Sequence, residues 1–332
     1  MTLTVLLLLG SALLIYLSCE YFVNGVEWVG RRFGVARSSV GTILAAFGTA
    51  LPESVVTFIA VVLGKTPEQK DIGVGAALGG PLVLATISYA VVGIVFLLYR
   101  RDRTSLAAAI NGARLAQAQG WFTAIFVFKI ALGLIAFAYK PWLGLLFFAA
   151  YGVYVWREMR DPDLAQPDDA QAEPLKLRPG DAVPSTFWAV TQTAAALVVI
   201  FLSSQLFVHQ LEATGTWLGM SAQLVALLLS PIATELPETL NAVIWVRQGK
   251  TALAMGNISG AMMIQATVPS ALGLLFTPWL LDTSLVWAAA VTMIAIAGLF
   301  WLLRRERLTA ARLACFGLLY IVFACGLAVV AR

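Results

Sequence analysis

The chain is laid out as long apolar stretches separated by short polar ones. Apolar runs lie at 2–30, 38–64, 72–99, 120–139, 141–156, 186–211, 218–246, 251–277, 284–303 and 310–331. A helix of about 20 apolar residues crosses a bilayer core of about 30 Å, so the pattern predicts ten membrane-spanning helices, five on each side of one polar segment. That segment, Arg157–Asp181, is rich in Pro, Asp, Gln and Ala and has no apolar period, which predicts a flexible linker. The chain therefore divides into a first five-helix unit (1–156), a linker (157–183) and a second five-helix unit (184–332). Thr104–Gln119 reads as an amphipathic helix lying ahead of the fourth span. The first twenty residues lack a basic start and a small-residue cleavage site, so they read as a first span and not a leader.

Composition sharpens this picture. Of 332 residues, 60% are apolar and 12% charged, against about 45–50% and 25% in soluble domains. Too little polar surface is left to face water, which excludes a soluble enzyme and a nucleic-acid binder. The net charge of +4 is explained by topology. Loops after the odd-numbered spans, counted together with Arg312 at the start of the tenth run, hold 17 of the 22 Lys and Arg residues, and basic loops stay on the cytoplasmic side. The linker should be cytoplasmic, both termini outside, and the protein a multi-pass component of the cell's inner membrane. Cys19, Cys315 and Cys325 sit within apolar runs and form no disulfide or zinc pattern. There is no serine–histidine–aspartate set, HExxH or Walker loop, so neither an enzyme nor a nucleotide-driven pump is indicated. Tryptophans near span ends (Trp121, Trp142, Trp156, Trp279) suggest an aromatic belt.

The halves repeat each other. Leu17–Glu53 aligns without a gap on Leu202–Glu238, sharing a Phe-Val pair, Glu27 with Glu212, two glycines, Thr49 with Thr234, and a closing Leu-Pro-Glu. Five spans separate the copies, an odd number, so the second copy inserts upside down. Inverted repeats with interrupted helices place a substrate site near the midplane in secondary transporters.

The chemistry clusters at the repeat ends. Pro52 and Pro237 free backbone carbonyls within apolar runs, and each precedes a carboxylate, Glu53 or Glu238. Thr49 and Thr234, four residues earlier, share the same helix face. Carboxylates, hydroxyls and loosened carbonyls form a hard-oxygen cluster of the kind that calcium takes, with about six to eight oxygens. A charge inside the membrane marks a functional site by default. Glu53 and Glu238 are thus the candidate metal ligands.

GTALPES (Gly48–Ser54) and IATELPET (Ile232–Thr239) resemble the two alpha-repeat signatures of the sodium/calcium exchanger family, and GNISG (Gly256–Gly260) resembles its glycine-asparagine motif. The resemblance covers nearly the whole chain. It implies an all-α integral membrane fold of two inverted five-helix repeats and antiport of calcium against sodium by alternating access. Glu53 and Glu238 would be the central ligands, Thr49 and Thr234 neighbouring ones, and Asn257 and Gln265 would lie on the polar face of the helix after the second signature. Inorganic cations would be its partners, with no cofactor beyond the transported Ca2+ and Na+ or H+.

The departures matter. The family's serine after the threonine is Ala50 in one half and Glu235 in the other. GAALGGP (Gly75–Pro81) replaces the first polar motif, Leu84 stands at its last ligand position, and Ala261 and Met262 replace polar residues in the second half. Fewer hydroxyls mean fewer sodium sites, which opens proton coupling, another cation, or a non-transporting membrane scaffold. Glu235 is a third ligand, a proton site or a bystander. Lys129, inside the fourth span, either snorkels to the interface or pairs with a glutamate in place of a monovalent cation. Glu20 is expected to bond a neighbouring helix opposite Gln205, and His209, the lone histidine, to be interfacial.

Overall fold

The computed structural model describes residues 2–32, 51–99, 105–159, 173–181 and 183–330. It is helical throughout. Helix α1 is Thr2–Arg32 and α2 is Leu51–Leu63, its last residues in a π-helical turn. Helix α3, Pro67–Tyr99, starts from a Thr66 side-chain cap. Then come α4 (Gly112–Gly133), α5 (Gly144–Met159) and α6 (Thr186–Leu218). The second half continues with α7 (Ala222–Thr234), α8 (Leu236–Arg247), α9 (Thr251–Phe276), α10 (Thr283–Arg304) and α11 (Ala310–Val329).

Seven of these (α1, α3, α4, α6, α9, α10 and α11) are long and apolar enough to cross a membrane. Helices α7 and α8 are separated by a single residue, Glu235, so the span expected at 218–246 is a broken helix. Large apolar side chains cover the periphery: Leu6, Leu98, Leu202, Ile294 and Leu318 are all more than half exposed. Such a surface suits lipid and not water.

The centre belongs to α9, 83% of whose most apolar stretch is buried, and to α3, at 61%. Around this pair the halves interlock: α1 runs along α6, α3 along α7, and α9 touches α3, α4, α5 and α8. Glycine permits a close crossing. A Cβ at Gly79 would stand 2.6 Å from the Leu227 carbonyl oxygen and 2.6 Å from Pro231 Cγ, so any larger residue would push α3 off α7.

Several expectations need correcting. The fourth span starts at Gly112, because the Asn111 side chain accepts from the Arg114 N–H and the following residues are good helix formers. It ends at Gly133, not 139; Leu106–Ala109 is the 3₁₀ turn before it. Helix α6 runs on to Leu218 before Gly219, at φ +66°, stops it. Trp279 is not part of an interfacial belt. It is fully buried and its indole N–H donates to the Lys129 carbonyl.

The described part of the linker, 173–181 and 183, is also not a loose tether. The Asn24 amide donates to the Glu173 and Pro174 carbonyls, and Trp28 Nε1 donates to Glu173 O at 3.0 Å. In return, the Lys176 N–H donates to Asn24 Oδ1 and the Leu177 N–H to Gln192 Oε1 at 2.8 Å. Gln192 Nε2 then reaches Asn24 Oδ1 at 2.9 Å, joining α6 to α1. Glu20 takes part here, accepting from Lys176 Nζ of the linker at 2.8 Å, in place of the expected bond to a neighbouring helix. His209 lies near Glu212 at a solvent-accessible position.

Candidate functional site

The break between α7 and α8 follows from two prolines. Pro231 and Pro237 have no N–H, so the helical ladder loses a rung near each. Glu235 sits in the gap, its N–H bonded to Pro231 O at 2.9 Å. The restarted helix places Glu238 in its first turn, where backbone N–H groups favour a carboxylate. Glu53 occupies the matching place on α2.

Glu53, Thr234, Glu235, Glu238 and Gln265 are all buried, at 2% exposure or less. Thr234 is the junction. Its hydroxyl oxygen is 2.8 Å from Glu53 Oε2, 2.9 Å from Glu235 Oε1 and 3.2 Å from the Ser230 carbonyl oxygen. Thr239 supports the break from below: its hydroxyl donates to the Glu235 carbonyl at 3.0 Å and meets Ser88 Oγ of α3 at 2.7 Å.

Gln265 comes in from α9. A Cβ at Gly80 would lie 2.7 Å from Gln265 Oε1 and 3.0 Å from Glu235 Oε1. The bare backbone of α3 therefore leaves the room that these two long polar side chains fill. Side chains missing from GAALGGP are replaced by side chains reaching across from the other half. Gln265 approaches Glu235, but neither of its amide atoms completes a hydrogen bond of ordinary geometry among the described residues.

Unsatisfied oxygens gather here. Among the described residues, Glu53 Oε1, Glu235 Oε2, Thr57 Oγ1, Ser230 Oγ and Gln265 Oε1 are buried without a hydrogen bond of ordinary geometry, although the Thr57 and Ser230 hydroxyls approach the Glu53 carboxyl group. Buried polar atoms are nearly always paired, so a concentration of orphans needs an explanation, and several hard oxygens around carboxylates suit a cation. Thr57 and Ser230 escaped the sequence reading. Both were findable, since Thr57 is one helical turn after Glu53 and Ser230 one turn before Thr234.

Other expected residues stand apart. Glu238 is within electrostatic reach of Cys19 and Tyr16 on α1. Asn257 is half-buried on α9, about 12 Å along the helix from Gln265 by helical rise. Thr49 lies outside the described residues. Among the described residues no three His, Cys, Asp or Glu side chains converge closely enough to hold a metal on their own, so an ion here would need hydroxyl, amide or backbone oxygens as well.

Lys129 does not snorkel. It is fully buried in α4, its Nζ donates to Ala77 O at 2.9 Å, and it lies 4.7 Å from the centre of the Phe126 ring. Glu53 is near enough for the two charges to interact. A separate buried network joins Gln119 Nε2 to Tyr89 Oη at 2.7 Å and Ser259 Oγ at 3.0 Å, tying α4 to α3 and α9.

Comparison with known proteins bears on the family and the fold. Residues 3–159 and 188–329 match the family described as sodium/calcium exchanger protein. A protein named as an antiporter, CaxA of Alkalimonas amylolytica, is 26% identical over 306 residues, covering 88% of this chain and 86% of its own. The crystal structure of an H+/Ca2+ exchanger, CAX, superposes with a TM-score of 0.65 at 16% identity, over 98% of this chain and 88% of that one. A structure of the sodium-calcium exchanger NCX_Mj gives 0.58 at 18% identity, over 98% of each. Likeness at such low identity establishes the shared fold.

Proposed function

Because the chain belongs to the sodium/calcium exchanger protein family, we propose that this multi-pass membrane protein is a secondary-active antiporter that moves calcium by alternating access. The cation is held between the halves at Glu53, with Glu238 as the matching carboxylate of the second repeat, although it stands apart from the cluster in this structure. Thr234, Glu235 and Gln265 supply further oxygens, with Thr49 as a further contributor from the first half. The observation that carries this reading is the set of orphaned oxygens around Glu53. They come from α2, α7, α9 and the break after α7, so both halves contribute, and they are hard oxygens of the kind that a cation takes.

The ten spans form two inverted units, 1–156 and 184–332, in the inner membrane, with linker 157–183 cytoplasmic and both termini outside. The bias of Lys and Arg supports this orientation. The broken α7–α8 span supports the alternating-access scheme, since interrupted helices line the sites of such transporters.

Two coupling ions fit the family: sodium and the proton. One observation favours the proton. A hydroxyl carries a single hydrogen, yet that of Thr234 has two carboxyl oxygens within 2.9 Å and a carbonyl at 3.2 Å. The arrangement holds together when one carboxyl group brings a hydrogen of its own, and a cation entering at Glu53 would release it.

The test is calcium flux in proteoliposomes under an outward sodium gradient and, separately, an outward proton gradient, beside the Glu53→Gln/Glu238→Gln double variant. Flux that follows either gradient and vanishes in the variant supports the reading and names the coupling ion. Intact protein that moves neither calcium nor another cation under either gradient refutes it and leaves a scaffold.

A further inference from the structure

Lys129 has no task in holding a calcium ion, yet it is placed with care. Burying an ammonium without partners is unfavourable, so its partners are informative. The first is the Ala77 carbonyl, and this is no ordinary backbone oxygen. In a regular helix it would accept from the residue four positions on, which is Pro81 and has no N–H. Helix α3 thus presents a bare carbonyl in its buried interior, and Lys129 Nζ fills it at 2.9 Å. The second partner is the face of Phe126, with its centre 4.7 Å away. The third is Glu53, within reach of its charge. Freed backbone carbonyls coordinate the coupling cation in transporters of this build, and an aromatic face and a carboxylate add to the attraction for a positive charge.

We propose that the Lys129 ammonium is a tethered substitute for a bound monovalent cation, occupying beside Glu53 a position that would otherwise take a sodium or potassium ion. This rests on the reading of Glu53 as a cargo ligand and deepens it. With one positive charge fixed to α4, the site needs one fewer mobile ion to balance its carboxylates. The loss of hydroxyl ligands from the first half follows, because a site filled by a side chain needs no ligands for an ion. A competing role is purely mechanical: a plug for the carbonyl that Pro81 leaves open.

Full-length wild type, Lys129→Met and Lys129→Gln separate the two. Methionine removes both charge and donor; glutamine removes the charge but retains a donor. The unfolding temperature of each is followed during titration with sodium or potassium chloride, with choline chloride holding ionic strength constant. The proposal expects both variants to gain a saturable stabilisation by sodium or potassium beyond that of the wild type, and their cation flux to acquire a requirement for one more monovalent ion. It is overturned if folded variants gain no such stabilisation, or if Lys129→Gln matches the wild type while Lys129→Met is merely less stable. Should Lys129→Met fail to fold, Lys129→Gln decides alone. Absence of calcium flux in the wild type would count against calcium as cargo, while the unfolding titration still decides the role of Lys129.

Discussion

Glu53 and Glu235, from opposite halves of the chain, meet at one hydroxyl: Thr234 Oγ1 stands 2.8 Å from one carboxyl oxygen and 2.9 Å from the other. Without Thr234 the two groups would face each other across a buried gap. Hydrogen bonds to charged partners contribute about 1.5–3 kcal/mol. Thr234→Ala should therefore weaken calcium affinity roughly 10- to 100-fold, at about tenfold per 1.4 kcal/mol, and Thr234→Ser should stay near wild type. Uptake measured against calcium concentration in proteoliposomes checks this. An alanine variant with unchanged affinity would remove Thr234 from the site.

The same junction separates the two acids by role. Under proton coupling, Glu235→Gln should keep calcium–calcium exchange but lose uptake driven by a pH gradient, because the amide cannot release a hydrogen. Glu53→Gln should lose both, since on the proposed reading it removes a cargo ligand. Parallel isotope-exchange and gradient-driven assays decide the matter. Equal loss of both activities in Glu235→Gln would make it a ligand and nothing more.

Gly80 is a test of space. A Cβ there would press on Gln265 Oε1 at 2.7 Å and Glu235 Oε1 at 3.0 Å. Overpacking a filled interior costs about 1–3 kcal/mol, so Gly80→Ala should lower both Tm and cation affinity. Adding Gln265→Ala should restore much of the Tm, as the offending side chain is gone, but not the affinity. If Gly80→Ala alone were silent in thermal unfolding and in flux, the close approach of α3 to α9 and to the break between α7 and α8 would be refuted.

The linker contacts make a contrast in size. Gln192 is buried with its bonds in place, and truncating such a group leaves partners unpaired at about 1–3 kcal/mol. Lys176 and Glu20 are partly exposed, and ion pairs of that kind contribute about 0–1 kcal/mol. Gln192→Ala should lower the midpoint of thermal unfolding clearly, and Lys176→Ala hardly at all. The reverse order would contradict the packing described.

Much of this was legible in the chain itself. Apolar run lengths predict membrane helices without any contact information, and the paired Leu-Pro-Glu segments point to Glu53, Thr234 and Glu238 because a proline beside an acid in apolar surroundings has few other uses. Glu235 was visible but undecided. Which way it faces depends on the break between α7 and α8, which is set by two prolines and by what lies across from them. The role of Gly80 could not be read at all, since it is defined by side chains from two distant helices. Helix ends shifted where local caps overrode the apolar pattern, as Asn111 does for α4. The linker looked loose because its anchors, Asn24, Trp28 and Gln192, are far away in sequence and ordinary in composition.

The segment beginning at Glu173 stays with the second half, yet it grips α1 of the first through Asn24 and Trp28. These bonds join the halves without relying on the chain upstream of Glu173. Two separate polypeptides, divided between Met159 and Glu173, should find each other in the membrane and co-purify, the second buckling itself to the first. The segment that ties the genetic halves into one chain is also a fastener that would outlast its own cutting.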